Sequence, residues 1–319
     1  MGRFRQLLKT KEHLILHGAL GTELEHLGYD VSGKLWSAKY LLTQPEIIQH
    51  IHETYLLAGA DIVTTSSYQA SLPGLLEAGL SQEEAIHIIK QSVNLALEAR
   101  KTVWDSLDQT TKLKRSYPLI SGCVGPYAAY LANGSEYSGD YGDISIETLK
   151  DFHRPRIQAL LEAGSELLCL ETIPNRLEVI ALVELLTQEF PHVEAYMSFT
   201  AQHEGSISDG TSLKEISQLV INCPQVLALG FNCTAPHLMD ALLTELAELT
   251  DKPLVSYPNS GETYDGTKQC WHSNPANHYN LLDKSKEWKA LGSKILGGCC
   301  RTHPTDIAQL ARGLGESHN

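Results

Sequence analysis

The chain has 319 residues, 42% of them hydrophobic, enough for one large buried core or for two smaller ones. Its formal net charge is −13 and no basic cluster stands out, which argues against nucleic acid and acidic membrane surfaces as partners. No stretch approaches the ~20 apolar residues of a membrane span. The opening Met1-Gly2-Arg3-Phe4-Arg5-Gln6 leads into a short half-polar segment without a signal-peptide core, and Gln6 stands where a myristoylated chain wants serine or threonine. Seven cysteines in such a chain read as reduced, cytoplasmic thiols, some with metal or catalytic roles.

Taken in order, short apolar runs recur at 14–16, 62–65, 119–124, 167–170, 195–199, 226–231, 254–257 and 295–296. Most are continuously apolar, as in strands of a parallel sheet buried on both faces. Helical patterns separate them. Pro45 suits a first helical position, Ile47, Ile48, Ile51 and Tyr55 share a face, and Gly59 ends the segment. Residues 82–103 repeat apolar positions at helical spacing. Leu149, Phe152, Leu160 and Leu161 mark the next helix, in which Pro155 predicts a kink or interruption. Segments 177–190, 213–221, 238–249 and 307–310 follow, with a weaker helix over 277–291. Strands alternating with helices in this number predict a single (β/α)₈ TIM barrel of the α/β class, one unit over 1–319. An open doubly wound sheet is the alternative, but Gly18-Ala19-Leu20-Gly21 does not meet the dinucleotide-binding spacing.

Three strand-to-helix connections are long, 18–44, 125–146 and 258–276, and in a barrel these lie on the C-terminal face where active sites are built. They carry Trp36, Tyr127, Tyr130, Tyr137, Tyr141, Tyr264 and Trp271. Cys233 follows the sixth apolar run; Cys299 and Cys300 follow the eighth, after Gly297 and Gly298. Adjacent cysteines rarely bridge each other, because so small a ring is strained. Three thiolates at strand ends on one face match a tetrahedral Zn2+ with one position open, at the C-terminal face of the barrel. Cys123, Cys169, Cys223 and Cys270 read instead as small buried hydrophobes. Three sulfurs compensate the charge of the metal, so metal-bound water there is a poor acid and hydrolysis is disfavoured. A coordinated substrate thiol, ordinarily of pKa ~8.5, is deprotonated and stays nucleophilic, so alkyl transfer to a thiol is expected. A barrel metallohydrolase would want a His-x-His pair after the first strand, which is missing. A non-enzymatic thiol sensor would not need the open position or the long loops.

The chain resembles the homocysteine S-methyltransferase family over essentially its whole length. The resemblance rests on Gly18-Ala19-Leu20-Gly21-Thr22-Glu23-Leu24, Leu35-Trp36-Ser37-Ala38, Thr65-Ser66-Ser67-Tyr68-Gln69-Ala70 and Gly125-Pro126-Tyr127. It continues through Gly134-Ser135-Glu136-Tyr137, Gly139-Asp140-Tyr141, Phe152-His153-Arg154-Pro155-Arg156, Glu171-Thr172, Asn232-Cys233 and Tyr257-Pro258-Asn259-Ser260-Gly261-Glu262. Gly297-Gly298-Cys299-Cys300-Arg301-Thr302 is the most specific, and the whole looks most like the bacterial enzymes that use S-methylmethionine. The resemblance implies a zinc barrel in which homocysteine takes a methyl group and becomes methionine. It implies Cys233, Cys299 and Cys300 as ligands and Glu171 on the homocysteine amino group. It also places Gly18, Asn232 and Gly298 at the substrates and Tyr68 on the donor side. S-methylmethionine is the expected donor, with S-adenosylmethionine possible and betaine, or another acceptor such as selenohomocysteine, as alternatives. Tyr68, Tyr127 and Tyr130 are expected to face the sulfonium, and Glu136 and Asp140 the donor's amino group. One position departs from the pattern: His17 stands where the family has aspartate, and a histidine there cannot supply that carboxylate's charge.

Overall fold

In the computed structural model, which describes residues 2–265, 270–272 and 279–315, all eight apolar runs become strands of one parallel sheet. These are β1 (Leu14–Ile15), β2 (Ile62–Thr64), β3 (Leu119–Val124), β4 (Leu167–Ile173), β5 (Ala195–Phe199), β6 (Val226–Asn232) and β7 (Leu254–Tyr257), with the eighth near the C-terminus. Between β7 and that last strand lies an antiparallel hairpin, β8 (Thr263–Asp265) with β9 (Cys270–His272), which the sequence pattern did not announce. The eighth barrel strand is therefore β10 (Ser293–Leu296). The sheet order is β1-β10-β7-β6-β5-β4-β3-β2, and a parallel bridge between Leu16 and Ile62 brings its two ends together. The expected TIM-barrel fold is thus the observed one. Phe231 pairs with Ser256 and Ser256 with Leu296, so β6, β7 and β10 end together at one rim.

The interior of the ring is filled by Leu14, Leu16, Ile62, Leu167, Tyr196 and Ile295 among others. The helix Arg3–Thr10, where the sequence showed only a half-polar segment, adds Phe4 and Leu8 to that cluster. These two residues lie one helical turn apart on one face. A larger apolar layer separates the barrel from its outer helices.

The helix Pro45–Ala58 starts on its proline and ends on Gly59, whose φ of 113° only glycine adopts freely. Ser81 and Glu84 form a reciprocal capping box at the start of Gln82–Ser106. The helix Ile146–Glu162 runs through Pro155 as one element, so of the expected kink or interruption the interruption does not occur. His153 and Arg156, on either side of the proline, are fully buried and hydrogen-bonded, which anchors the helix at that point.

The long connections are structured. Residues 18–44 hold the helices Gly21–His26 and Lys39–Thr43; residues 125–146 hold Tyr127–Leu131 and Ser135–Ser138. The side chains of Tyr264, Cys270 and Trp271, and the first residues of the helix expected over 277–291, lie outside the described residues. The described part of that helix is Leu281–Ala290, where buried Trp288 donates from Nε1 to Asp240 at 2.8 Å. Among the described residues no helix is long and apolar enough to cross a membrane.

Candidate metal and substrate site

A pocket at the C-terminal rim is lined by residues from the ends of the first four strands and of β6, β7 and β10. Cys233 follows β6 directly and takes a left-handed φ of 46°, which turns the chain sharply at the rim. After β10, Gly297 and Gly298 let the chain pass close to its neighbours. A Cβ at Gly298 would lie 2.3 Å from the Thr302 side chain. The Cys299 amide donates to Pro258 O at 2.8 Å, and the Ser260 amide to Cys300 O at 3.1 Å, so the loops after β7 and β10 hold one another.

The sulfurs of Cys233, Cys299 and Cys300 all lie within 4.8 Å of one another. Cys233 and Cys299 are joined as a disulfide, with Cα atoms 5.5 Å apart, and Cys300 is free. A disulfide takes two thiolates out of use, so the form competent to hold a metal is the reduced one. Burial, with the Glu171 carboxylate nearby, pushes the Cys300 thiol up to about 12. A bound cation would reverse that preference. The donor set fits a thiophilic metal.

Glu171, near the end of β4, lines the same pocket. Its Oε1 accepts from the Cys123 thiol at 2.8 Å and its Oε2 from the Tyr257 hydroxyl at 3.1 Å. Burial raises its carboxyl above the ordinary range, and these donors only partly oppose the shift. Cys123 is indeed buried, but it also touches the pocket and serves as a thiol donor, which its reading as a packing residue missed. Tyr257 is anchored from behind, its hydroxyl 2.5 Å from Ser198 Oγ.

Asn232 is fully buried and lies beneath the lining. Its Oδ1 accepts from the Thr172 amide and from Ser198 Oγ, each at 2.8 Å. Its Nδ2 donates to Thr172 Oγ1 at 2.8 Å and points toward Cys299 Sγ at 3.9 Å. Its amide is thus spent on holding the ends of β4 and β6 together.

His17 lines the pocket with its Nδ1 shielded and unpartnered. Burial lowers its pKa to about 4, so it is neutral near pH 7. Behind it His52 is lowered to about 3 by burial and by His17 itself. Gly18 also lines the pocket, but its lack of a side chain already has a packing cause. A Cβ there would meet Thr302 O at 2.5 Å and the Tyr55 ring at 2.8 Å.

Tyr68 and Trp36 form an aromatic wall, ring centroids 6.5 Å apart and edge to face. Tyr127 and Tyr130, expected to face the donor, lie outside this lining, packed edge-on or tilted against Phe152 and Tyr141. Asp140 is exposed and caps the Gly142 amide at 2.9 Å, while burial raises the Glu136 carboxyl.

The homocysteine S-methyltransferase family model matches residues 14–314. A homocysteine S-methyltransferase of Escherichia coli is 45% identical over 306 residues, covering 96% of each chain. A selenocysteine Se-methyltransferase of Brassica oleracea is 42% identical over 316 residues, covering 97% of this chain and 91% of its own. The metallated form of the homocysteine methyltransferase MmuM from Escherichia coli superposes with a TM-score of 0.86 at 43% identity, covering 97% of this chain and 99% of that one. A metallated relative of the same fold and a convergent trio of sulfurs in this chain identify a metal site. The match runs through both strand ends that carry those sulfurs, so the chain is a methyltransferase and belongs to the homocysteine S-methyltransferase family.

Proposed function

We propose that the chain, working as one barrel unit over 1–319 in the cytoplasm, transfers a methyl group from S-methylmethionine to the thiol of homocysteine, forming methionine. The observation that carries this is the convergence of three sulfurs within 4.8 Å in the pocket that also presents Glu171. Reduced Cys233, Cys299 and Cys300 would hold one Zn2+. When bound, zinc keeps an acceptor thiol ionised at neutral pH while leaving it nucleophilic. Glu171 receives the ammonium of homocysteine, which offsets the burial of its carboxylate. His17, neutral, lines the same pocket and adds no charge to it. Backbone at Gly18 and Gly298 borders the acceptor, and Asn232 steadies the rim from below. Tyr68 and Trp36 present ring faces to the sulfonium, a contact worth ~0.5–2 kcal/mol.

Attack forms a sulfur–carbon bond as the donor's sulfur–methyl bond breaks, and the electron pair stays on the departing thioether. Opposite charges are annihilated, so a site that excludes water favours the step. Alignment of the two sulfurs and the methyl carbon supplies much of the remainder. No general base is required.

The test is metal analysis and methyl transfer on reduced protein. About one zinc per chain is expected, lost together with activity in Cys299→Ser and Cys300→Ser while the barrel remains folded. Full transfer by a metal-free Cys299→Ser/Cys300→Ser double variant would refute the assignment.

A further inference from the structure

Behind the pocket wall lies a polar network that the transfer chemistry does not use. Arg156, His153 and Glu178 are all fully buried, three ionisable side chains away from water. Arg156 belongs to the helix Ile146–Glu162, outside the barrel, yet its guanidinium reaches the backbone of two strand-end loops. Nη1 donates to Tyr68 O at 3.1 Å and to Ser67 O at 3.4 Å. Nη2 donates to Gly125 O at 2.5 Å and lies 3.2 Å from His153 Nδ1. His153 Nε2 lies 2.7 Å from Glu178 Oε1. One assignment satisfies both contacts: a neutral imidazole accepting at Nδ1 and donating from Nε2. Burial lowers the His153 pKa, which agrees with that form. Glu178 Oε1 also accepts the Tyr127 amide at 2.6 Å, and Oε2 accepts the Tyr141 hydroxyl at 2.5 Å.

Removing a guanidinium and a carboxylate from water is costly, and an apolar filling is often at least as stable. What this network delivers is position. Tyr68 is gripped at its carbonyl by Arg156 and backed by Gly125. A Cβ at Gly125 would lie 2.5 Å from Tyr68 O and 2.8 Å from its Cδ2. The ring held this way lines the pocket with Cys233 and Glu171. In the barrel order, β2 and β3 stand across the ring from β6 and β7. The network therefore acts on the aromatic side of the pocket and leaves the sulfur cluster untouched.

We propose that Arg156 is a positioning residue: through Tyr68 it sets the wall against which the methyl donor rests, and the His153–Glu178 pair holds Arg156 in that pose. This rests on the reading of the chain as a homocysteine methyltransferase with a sulfonium donor. The test is two-substrate kinetics on the zinc-loaded full chain with Arg156→Lys and Gly125→Ala. Lysine keeps the charge but cannot donate to Tyr68 O, Gly125 O and His153 together. Its expected effect is a rise of about tenfold or more in the KM for S-methylmethionine, the scale of one lost charged hydrogen bond. The KM for homocysteine and the zinc content should hold. Gly125→Ala displaces Tyr68 by crowding, without removing any charged group, and should give the same split, so the test survives if Arg156→Lys fails to fold. A fall in kcat with both KM values unchanged, as from fewer folded molecules, would overturn the inference. So would equal changes in the two KM values. Absence of transfer by the wild type would overturn the functional reading, and this inference with it.

Discussion

Glu171→Gln isolates the contribution of one carboxylate. In the free protein Glu171 accepts from two neutral donors, Cys123 at 2.8 Å and Tyr257 at 3.1 Å, and burial raises its pKa. Nothing in those contacts balances its charge, and the homocysteine ammonium would do so. Truncating one partner of a buried charge pair costs on the order of 2–5 kcal/mol. Glu171 is only partly enclosed, so the lower part of that range applies, about 2–3 kcal/mol or roughly 30- to 150-fold in affinity. The assay is the homocysteine KM at saturating donor, with calorimetric titration of the zinc enzyme as a check. Zinc content should not change, since no sulfur moves. The pH dependence has a definite sign. Because the folded-state pKa is raised, wild-type acceptor affinity falls as pH drops through that raised value, whereas the glutamine variant lacks this acid limb. For the same reason ionised Glu171 weakens the ligand-free fold as pH rises through its folded pKa. Glu171→Gln should therefore raise the Tm near neutral pH, and the gain should vanish in acid. An unchanged homocysteine KM would refute the argument, whatever happened to stability.

Two further outcomes are expected. With homocysteine as acceptor, initial rates at matched concentration should rank S-methylmethionine first, S-adenosylmethionine lower and betaine near zero, because a quaternary nitrogen is the poorer leaving group; a preference for betaine would overturn the donor assignment but not the metal chemistry. His17→Asp should lower the homocysteine KM severalfold by adding a second carboxylate near the ammonium, and should lower the Tm of the ligand-free protein through like-charge repulsion with Glu171; a raised KM would show that His17 already makes a contact that aspartate cannot reproduce.

Much of this architecture was legible in the chain. The eight barrel strands fall within a few residues of the apolar runs, because strands buried on both faces must be continuously apolar. The helices inside the long connections escaped notice: Tyr127–Leu131 and Ser135–Ser138 are too short to show a period. The sulfur trio was readable because cysteine, glycine and strand end coincide. The contacts around it were not. Cys123 meets Glu171 across 48 residues, and Asn232 meets Thr172 across 60, with no local signal for either. Tyr127 and Tyr130 show the opposite error, since loop aromatics chosen by type alone packed against Phe152. The network around Arg156 was visible only as a motif on a helix, and its meaning depends on which loops that helix passes.

Thr172, Cys233 and Arg301 adopt left-handed φ values of 65°, 46° and 64°, and each is, or directly follows, a residue of the pocket. Such a conformation costs a non-glycine residue about 1–2 kcal/mol, which defines an uneven landscape for directed evolution. Glycine would relax the backbone at all three positions. At 301 the exchange also removes an ion pair with Glu262, at 2.5 Å, on the rim. At 172 it removes the hydroxyl that binds Asn232. At 233 it removes a sulfur that is bonded to Cys299 in this structure and that, when reduced, is proposed to hold the metal. A screen for heat tolerance on reduced, metal-free protein should accept glycine most readily at 301 and would also reward it at 233, where neither the bond to Cys299 nor a metal opposes the exchange. Selection for turnover closes that route, so position 233 is where thermostability and methyl transfer pull the sequence in opposite directions.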